Sequence, residues 1–95
     1  MAAYVIVNVD VQDPVRYRDY VAAVPPTLAP FGGRFLVRGG KAERLEGTYD
    51  PKRVVVLEFD SAELARAWWH SAGYAPAKAI RQATARTDLI LVEGV

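Results

Sequence analysis

Ninety-five residues, 52% of them hydrophobic, with twelve basic against eleven acidic side chains and a net charge of +1, suit one small globular domain over residues 1–95. The lack of cysteine excludes a disulfide scaffold and thiolate metal sites, and arginines scattered from Arg16 to Arg86 offer no basic block to nucleic acid or an anionic membrane. No apolar run approaches the roughly 18 residues that span a bilayer, and the first residues alternate instead of forming a signal peptide, so a soluble cytoplasmic protein is expected.

Tyr4 to Asp10 alternates, with Val5, Val7 and Val9 on one side and Tyr4, Ile6, Asn8 and Asp10 on the other, and predicts the first strand. Asp13-Pro14 supplies an N-cap and a first-turn proline for a helix carrying Tyr17, Tyr20, Val21 and Val24, which Pro25-Pro26 should end or kink. After a short turn through Leu28 comes a second strand, Arg34 to Arg38, set between the pairs Gly32-Gly33 and Gly39-Gly40. Glycine pairs at both ends of a strand imply positive-φ turns, a bulge, or backbone that must be closely approached. Gly47 to Pro51 reads as a loop and Arg53 to Phe59 as the third strand. Asp60 with Glu63 resembles a capping box opening a helix to about Ala72, with Gly73 as its stop. Pro76 begins another helical stretch to about Arg86, and Asp88 to Glu93 is the last strand.

The order β-α-β-β-α-β, with the second helix broken, is that of an α+β ferredoxin-like fold with an antiparallel sheet. Sorting strand residues by parity gives the sheet two unlike faces. Val5, Val7, Val9, Phe35, Val37, Val55, Leu57, Phe59, Ile90 and Val92 are expected under the helices. Tyr4, Ile6, Asn8, Arg34, Leu36, Arg38, Val54, Val56, Glu58, Leu89, Leu91 and Glu93 are expected on the other face, apolar at its centre and polar towards the strand ends. A patch so apolar needs a cover, and a second copy packed sheet to sheet would supply the usual ~800 Å² per partner.

Phe31-Gly32-Gly33-Arg34, Val37-Arg38-Gly39-Gly40, Leu45-Glu46-Gly47, Val56-Leu57-Glu58-Phe59, Trp69-His70-Ser71 followed by Tyr74, and Val92-Glu93-Gly94 together resemble the domain-of-unknown-function family numbered 1330. The resemblance runs over nearly the whole chain. It implies the dimeric α/β-barrel superfamily, in which two ferredoxin-like subunits pack sheet to sheet. Superfamily members include cofactor-independent monooxygenases, haem-degrading enzymes, isomerases and ligand-binding domains, so the fold alone selects no reaction.

Trp68, Trp69 and Tyr74 cluster near the break in the second helix, where amphipathic aromatics could rim a pocket. By resemblance, Trp68 and Tyr74 are spaced like a tryptophan and a tyrosine of the anthrone-type monooxygenases, but Leu64 stands where those enzymes carry an asparagine. The haem-degrading relatives are matched at Asn8 and a helix tryptophan, but their downstream histidine has no counterpart here. The single histidine, His70, points away from the helix's apolar stripe, and its neighbour Ser71 diverges from it by about 100°. No nucleophile–base pair results. Gly39-Gly40-Lys41 lacks the leading glycine and the hydroxyl residue of a phosphate loop.

On the mixed face, Asn8, Arg34, Arg38, Glu58 and Glu93 form either an interface network or a site. In the site reading Arg34 or Arg38 binds a carboxylate or enolate and Glu58 acts as acid or base, with strand register deciding which arginine meets Glu58. The candidate catalytic residues are therefore Glu58, Tyr74 and Arg38, and the candidate ligand-binding residues Asn8, Arg34, Arg38, Trp69 and Tyr74. No metal or organic cofactor is expected. An RNA-recognition role is disfavoured because the third strand offers Val54 and Val56 where such modules place aromatics. The expected function is a homodimeric small-molecule-binding domain, its enzymatic form a cofactor-independent monooxygenase- or isomerase-type reaction on a small oxygenated or aromatic compound. The alternative is a non-catalytic structural or interaction dimer.

Overall fold

The structure, a computed structural model, describes residues 1–95. In chain order the elements are β1 (Ala3–Val11), α1 (Pro14–Leu28), a 3-10 turn (Ala29–Phe31), β2 (Arg34–Gly40), β3 (Arg53–Phe59), α2 (Ala62–His70), α3 (Ala75–Thr84) and β4 (Ala85–Glu93). The strands form one antiparallel sheet in the order β2-β3-β1-β4. This is the α+β ferredoxin-like arrangement. No helix is long and apolar enough to cross a membrane.

Local chemistry sets most element ends. Asp13 Oδ1 accepts the Arg16 N–H at 3.1 Å and Pro14 opens α1. Of the two outcomes the sequence allows at Pro25-Pro26, the helix does not end there but continues to Leu28. Pro25 has no N–H for the Val21 carbonyl four residues back, and that carbonyl instead accepts an Arg38 Nη2–H at 3.0 Å. A tertiary donor thus replaces the missing helical one. The cap of α2 is Ser61, whose Oγ accepts Leu64 N–H at 3.2 Å, and not Asp60, which turns to Arg34. The same helix stops at His70, short of Ala72, because Ser71 takes an extended conformation and its Oγ donates to the Trp68 carbonyl at 2.8 Å. Helix α3 ends at Thr84 and passes directly into β4, which therefore starts three residues earlier than predicted.

Register fixes the faces of the sheet. Under the helices, Phe35, Leu57, Val5 and Leu91 lie in one row across the four strands, and Arg38, Val55, Val7 and Leu89 in the next. On the open face the rows are Arg34, Glu58, Tyr4 and Val92, then Val37, Val56, Ile6 and Ile90, then Gly40, Val54, Asn8 and Asp88.

Three parts of the parity assignment are corrected by this register. Leu89 and Leu91 face the helices and Ile90 and Val92 face out, because Leu91 pairs with Val5 and Leu89 with Val7. Glu93, opposite Ala3, likewise leaves the open-face set. In β2 the register shifts between Phe35 and Val37, a bulge that sends Val37 to the open face and Arg38 to the helix side. A second shift falls at Gly39, whose φ of +72° suits glycine, and a Cβ there would run into the Arg53 guanidinium.

The core lies between the sheet and the helices. Val5, Val7, Val9, Leu57 and Phe59 from the strands meet Tyr17, Val24 and Leu28 of α1, Ala65 and Trp68 of α2, and Tyr74 and Ala77 beside and on α3. Helix α2 lies directly on β1, β3 and β4, whereas α1 lies closest to α3. Gly33 lets the chain pass over the ring of Phe59, which a Cβ would meet at 2.7 Å.

Candidate functional site

Space is left where α1 stands over the sheet. A cavity of about 30 Å³ is lined almost wholly by apolar side chains of β1, β3 and α1, with Phe35, Trp68 and Leu89 closing its ends. That volume holds one or two water molecules. Its polar groups are Arg38, Arg53 and the phenols of Tyr17 and Tyr20, and no carboxylate lines it.

The β2 bulge brings Arg38 here, with its guanidinium 4.3 Å above the Phe35 ring and tied to the Val21 carbonyl. Arg53 enters because its partner Val9 also faces the helices, and its guanidinium carbon lies 6.0 Å from the Tyr17 ring. Behind Tyr20 sits Arg81 of α3, 3% exposed, between the rings of Tyr20 at 5.9 Å and Trp69 at 5.6 Å. The Nε of Arg53 and the Nε and Nη2 of Arg81 are buried without a hydrogen-bond partner. None of Arg38, Arg53 and Arg81 pairs with an acid, since all ion pairs involve Arg34 or Lys52. Arg38 is exposed, but unpaired cations that are buried like Arg81 or half-buried like Arg53 are costly, and an anion placed beside them would offset that cost.

The phenols form a connected group. Tyr20 and Tyr74 share a 2.9 Å hydrogen bond between their hydroxyls, and Tyr74, fully buried, lays its ring 4.0 Å from Trp68. Burial pushes the Tyr17 and Tyr20 hydroxyls above the usual tyrosine value of 10.0, reinforced by Tyr74, most strongly for Tyr20, and opposed for Tyr17 chiefly by Arg53 and for Tyr20 by Arg81. Both remain protonated donors in the neutral range. Because the fold holds these protons more tightly than the unfolded chain does, their stabilisation is complete below about pH 10 and is lost as pH rises beyond it. In an alkaline titration, Tyr20 should ionise only together with loss of the near-ultraviolet circular dichroism, and Tyr20→Phe should shrink that late cooperative step to the part that Tyr17 contributes. Reversible ionisation of all five tyrosines with the dichroism intact would contradict this assignment.

The other singled-out residues are elsewhere. Asn8 accepts Lys52 N–H at 2.8 Å through Oδ1 and donates to the Asp50 carbonyl at 3.1 Å, pinning the chain ahead of β3. Arg34, not Arg38, meets Glu58, at 2.7 Å, and also reaches Asp60 at 3.3 Å. Asn8, Arg34 and Glu58 thus lie across the sheet from the cavity. Trp69 is half-buried on the far side of Trp68, with the Lys78 ammonium 4.4 Å over its ring. His70 is exposed, and Ser71 is occupied as a helix cap. No three His, Asp or Glu side chains are grouped so as to hold a metal ion.

Sequence reasoning passed over Arg53, Arg81, Tyr17 and Tyr20 as site residues. Arg53 has the same parity as Val55 and Leu57, and Arg81 falls four residues after buried Ala77 and three before buried Thr84. A cation in an apolar stripe was the signal available in both cases.

Fold and cavity together define a ferredoxin-like α+β domain with a cation-bearing chamber between sheet and helices. The chain belongs to the family described as Domain of unknown function (DUF1330), whose match covers residues 2–95. No curated protein matches it. Among solved structures it is similar to a protein of unknown function from Rhodopseudomonas palustris, at 18% identity and a TM-score of 0.80 over 99% of this chain and 82% of that one. A dimeric ferredoxin-like protein of unknown function from Jannaschia sp. CCS1 is similar at 13% identity and a TM-score of 0.74, over 99% and 100% of the two chains. SnoaB, a cofactor-independent oxygenase from Streptomyces nogalater, is similar at 16% identity and a TM-score of 0.65, over 99% and 93%. At these identities the likeness is one of fold.

Proposed function

We propose that this chain is a homodimeric small-molecule-binding domain, a single unit over residues 1–95, that binds a small aromatic compound on the helix side of its sheet with the compound's acidic oxygen in the arginine-lined cavity. The observation that carries the reading is a set of arginines unpaired with any carboxylate, exposed Arg38 and half-buried Arg53 lining the apolar cavity and buried Arg81 behind it. Guanidinium groups favour carboxylate, phenolate and enolate oxygens, and the surrounding tyrosines and tryptophans favour flat rings. Arg38, Tyr74 and Trp69 keep a place in this reading, Tyr74 by fixing Tyr20. Asn8, Arg34 and Glu58 are committed to structural contacts and take no part.

An enzymatic form fits the same groups. Cations beside a bound phenol stabilise its anion, the electron-rich form from which oxygenation by dioxygen and enol–keto isomerisation both start. The cofactor-independent oxygenase SnoaB has this fold, which supports the oxygenation route. The homodimer is supported by the open-face apolar patch and by the dimeric Jannaschia protein of the same fold. A cytoplasmic setting suits a chain that uses no disulfide.

Calorimetric titration with 2-naphthoate tests the reading. The anion should bind at least ten-fold more tightly than the neutral 2-naphthamide, and Arg38→Gln with Arg53→Gln should erase that preference while the melting temperature changes by only a few degrees. Equal affinity for both compounds, or an unchanged preference in the double variant, would remove the arginines from the site and leave the structural dimer as the better account.

A further inference from the structure

The cavity is too small for a ring, yet a second space adjoins it. Between α2 and the β1–β4 side of the sheet lies an open groove of about 340 Å³, lined by Val5, Ala65, Trp68, Trp69 and Leu91, with Leu89 at its inner end and Arg66 as its one charged residue. That volume lies in the range of small-ligand sites. Trp68 and Leu89 line both spaces, so those two side chains form the partition between groove and cavity. Trp68 is 1% exposed and held by its Nε1–H donating to Thr27 Oγ at 3.1 Å, while Leu89 is only partly buried and hydrogen-bonded through nothing but its backbone. Leu89, smaller and only partly buried, is the less constrained half of the wall.

Resting on the binding reading above, we infer that the two spaces are one site: the groove takes the rings of an aromatic monoacid, its acidic oxygen passes the Trp68–Leu89 partition into the arginine-bearing cavity, and Leu89 sets how many rings are admitted. The sizes agree, since the inner space has room for an oxygen or two and the outer one for fused rings. The polarity agrees too. The groove is apolar apart from Arg66, whereas the inner space carries Arg38, Arg53 and two phenols. Both lie on the helix side, so a cover over the open face of the sheet leaves them accessible.

Paired probes test this, 2-naphthoate with two fused rings and anthracene-2-carboxylate with three. Wild-type protein should favour 2-naphthoate. Leu89→Ala should bind anthracene-2-carboxylate at least ten-fold more tightly than wild type does, and Leu91→Phe, which fills the groove, should weaken both probes by a similar factor. If Leu91→Phe fails to fold, the methyl resonances of Leu89 and Leu91 in the wild-type protein give the same information, because 2-naphthoate should shift them strongly. Binding that depends on Arg38 but leaves those methyls and the probe preference unmoved would overturn the groove assignment alone. Absence of 2-naphthoate binding to wild type would overturn it together with the binding reading.

Discussion

Trp68→Ala should lower the melting temperature by on the order of 15–30 °C, the largest loss expected from any single change in this chain. Trp68 is 1% exposed, its ring lies 4.0 Å from Tyr74 and 5.7 Å from Phe59, and its indole N–H donates to Thr27 Oγ, which itself donates to the Val24 carbonyl at 2.6 Å. Removal of a buried tryptophan costs about 3–5 kcal/mol. A domain of this size has only about 5–15 kcal/mol in total, so the variant should be largely unfolded at temperatures where the parent is folded. Trp68→Phe keeps most of the packing and gives up one hydrogen bond, so it should retain most of the stability. Thermal melts followed by circular dichroism distinguish the two. A drop below 5 °C for Trp68→Ala would show that the tryptophan is not the centre of the core.

The second large effect concerns assembly. Light scattering at micromolar concentration should report twice the 10.5 kDa chain mass for the wild type, and Val56→Lys should give the single chain mass or aggregate. Val56 lies between Val37 and Ile6 in a row that ends at Ile90, and around it Leu36 (52%), Ile90 (55%) and Val92 (41%) stand exposed. Large residues on four neighbouring strands form a patch of the kind that partners cover. A lysine at its centre would be buried without an acid opposite, which costs several kcal/mol and suffices to separate a standard interface. The helix-side site is on the other face of the sheet, so ligand binding by the monomeric variant is a clean control. A wild-type monomer at that concentration would exclude the dimer.

Much of this fold is legible in the residues, and the exceptions have physical causes. Polar residues give β1 and β3 their sign, Asn8 and Asp10 in the first and Glu58 in the second, and the predicted bounds of both agree with the structure to within a residue. β4 is different because Leu89, Ile90, Leu91 and Val92 are apolar at every position, so period-two alternation carries no sign and only pairing with β1 chooses the inner pair. Arg38 changes face because an inserted residue in a bulge cannot be counted from one strand alone, although the flanking glycines did advertise irregular backbone. Pro25 fails to end α1 because its missing hydrogen bond is supplied from β2, a contact no local rule contains. The aromatic cluster of Trp68 and Tyr74 and the candidacy of Arg38 are visible in the sequence, but the roles of Arg53 and Arg81 are not. Their meaning comes from having no acid beside them, which is a property of three-dimensional neighbours.

The hydrogen bond between Arg38 and Val21 has one more consequence. Proteins commonly hold an arginine still with a carboxylate, and the salt bridge that fixes its direction also cancels its field. Here a proline has left a backbone carbonyl without its helical donor, and that uncharged oxygen does the holding. The guanidinium is oriented at the cavity wall with its full positive charge intact. A neutral anchor of this kind gives direction without neutralisation.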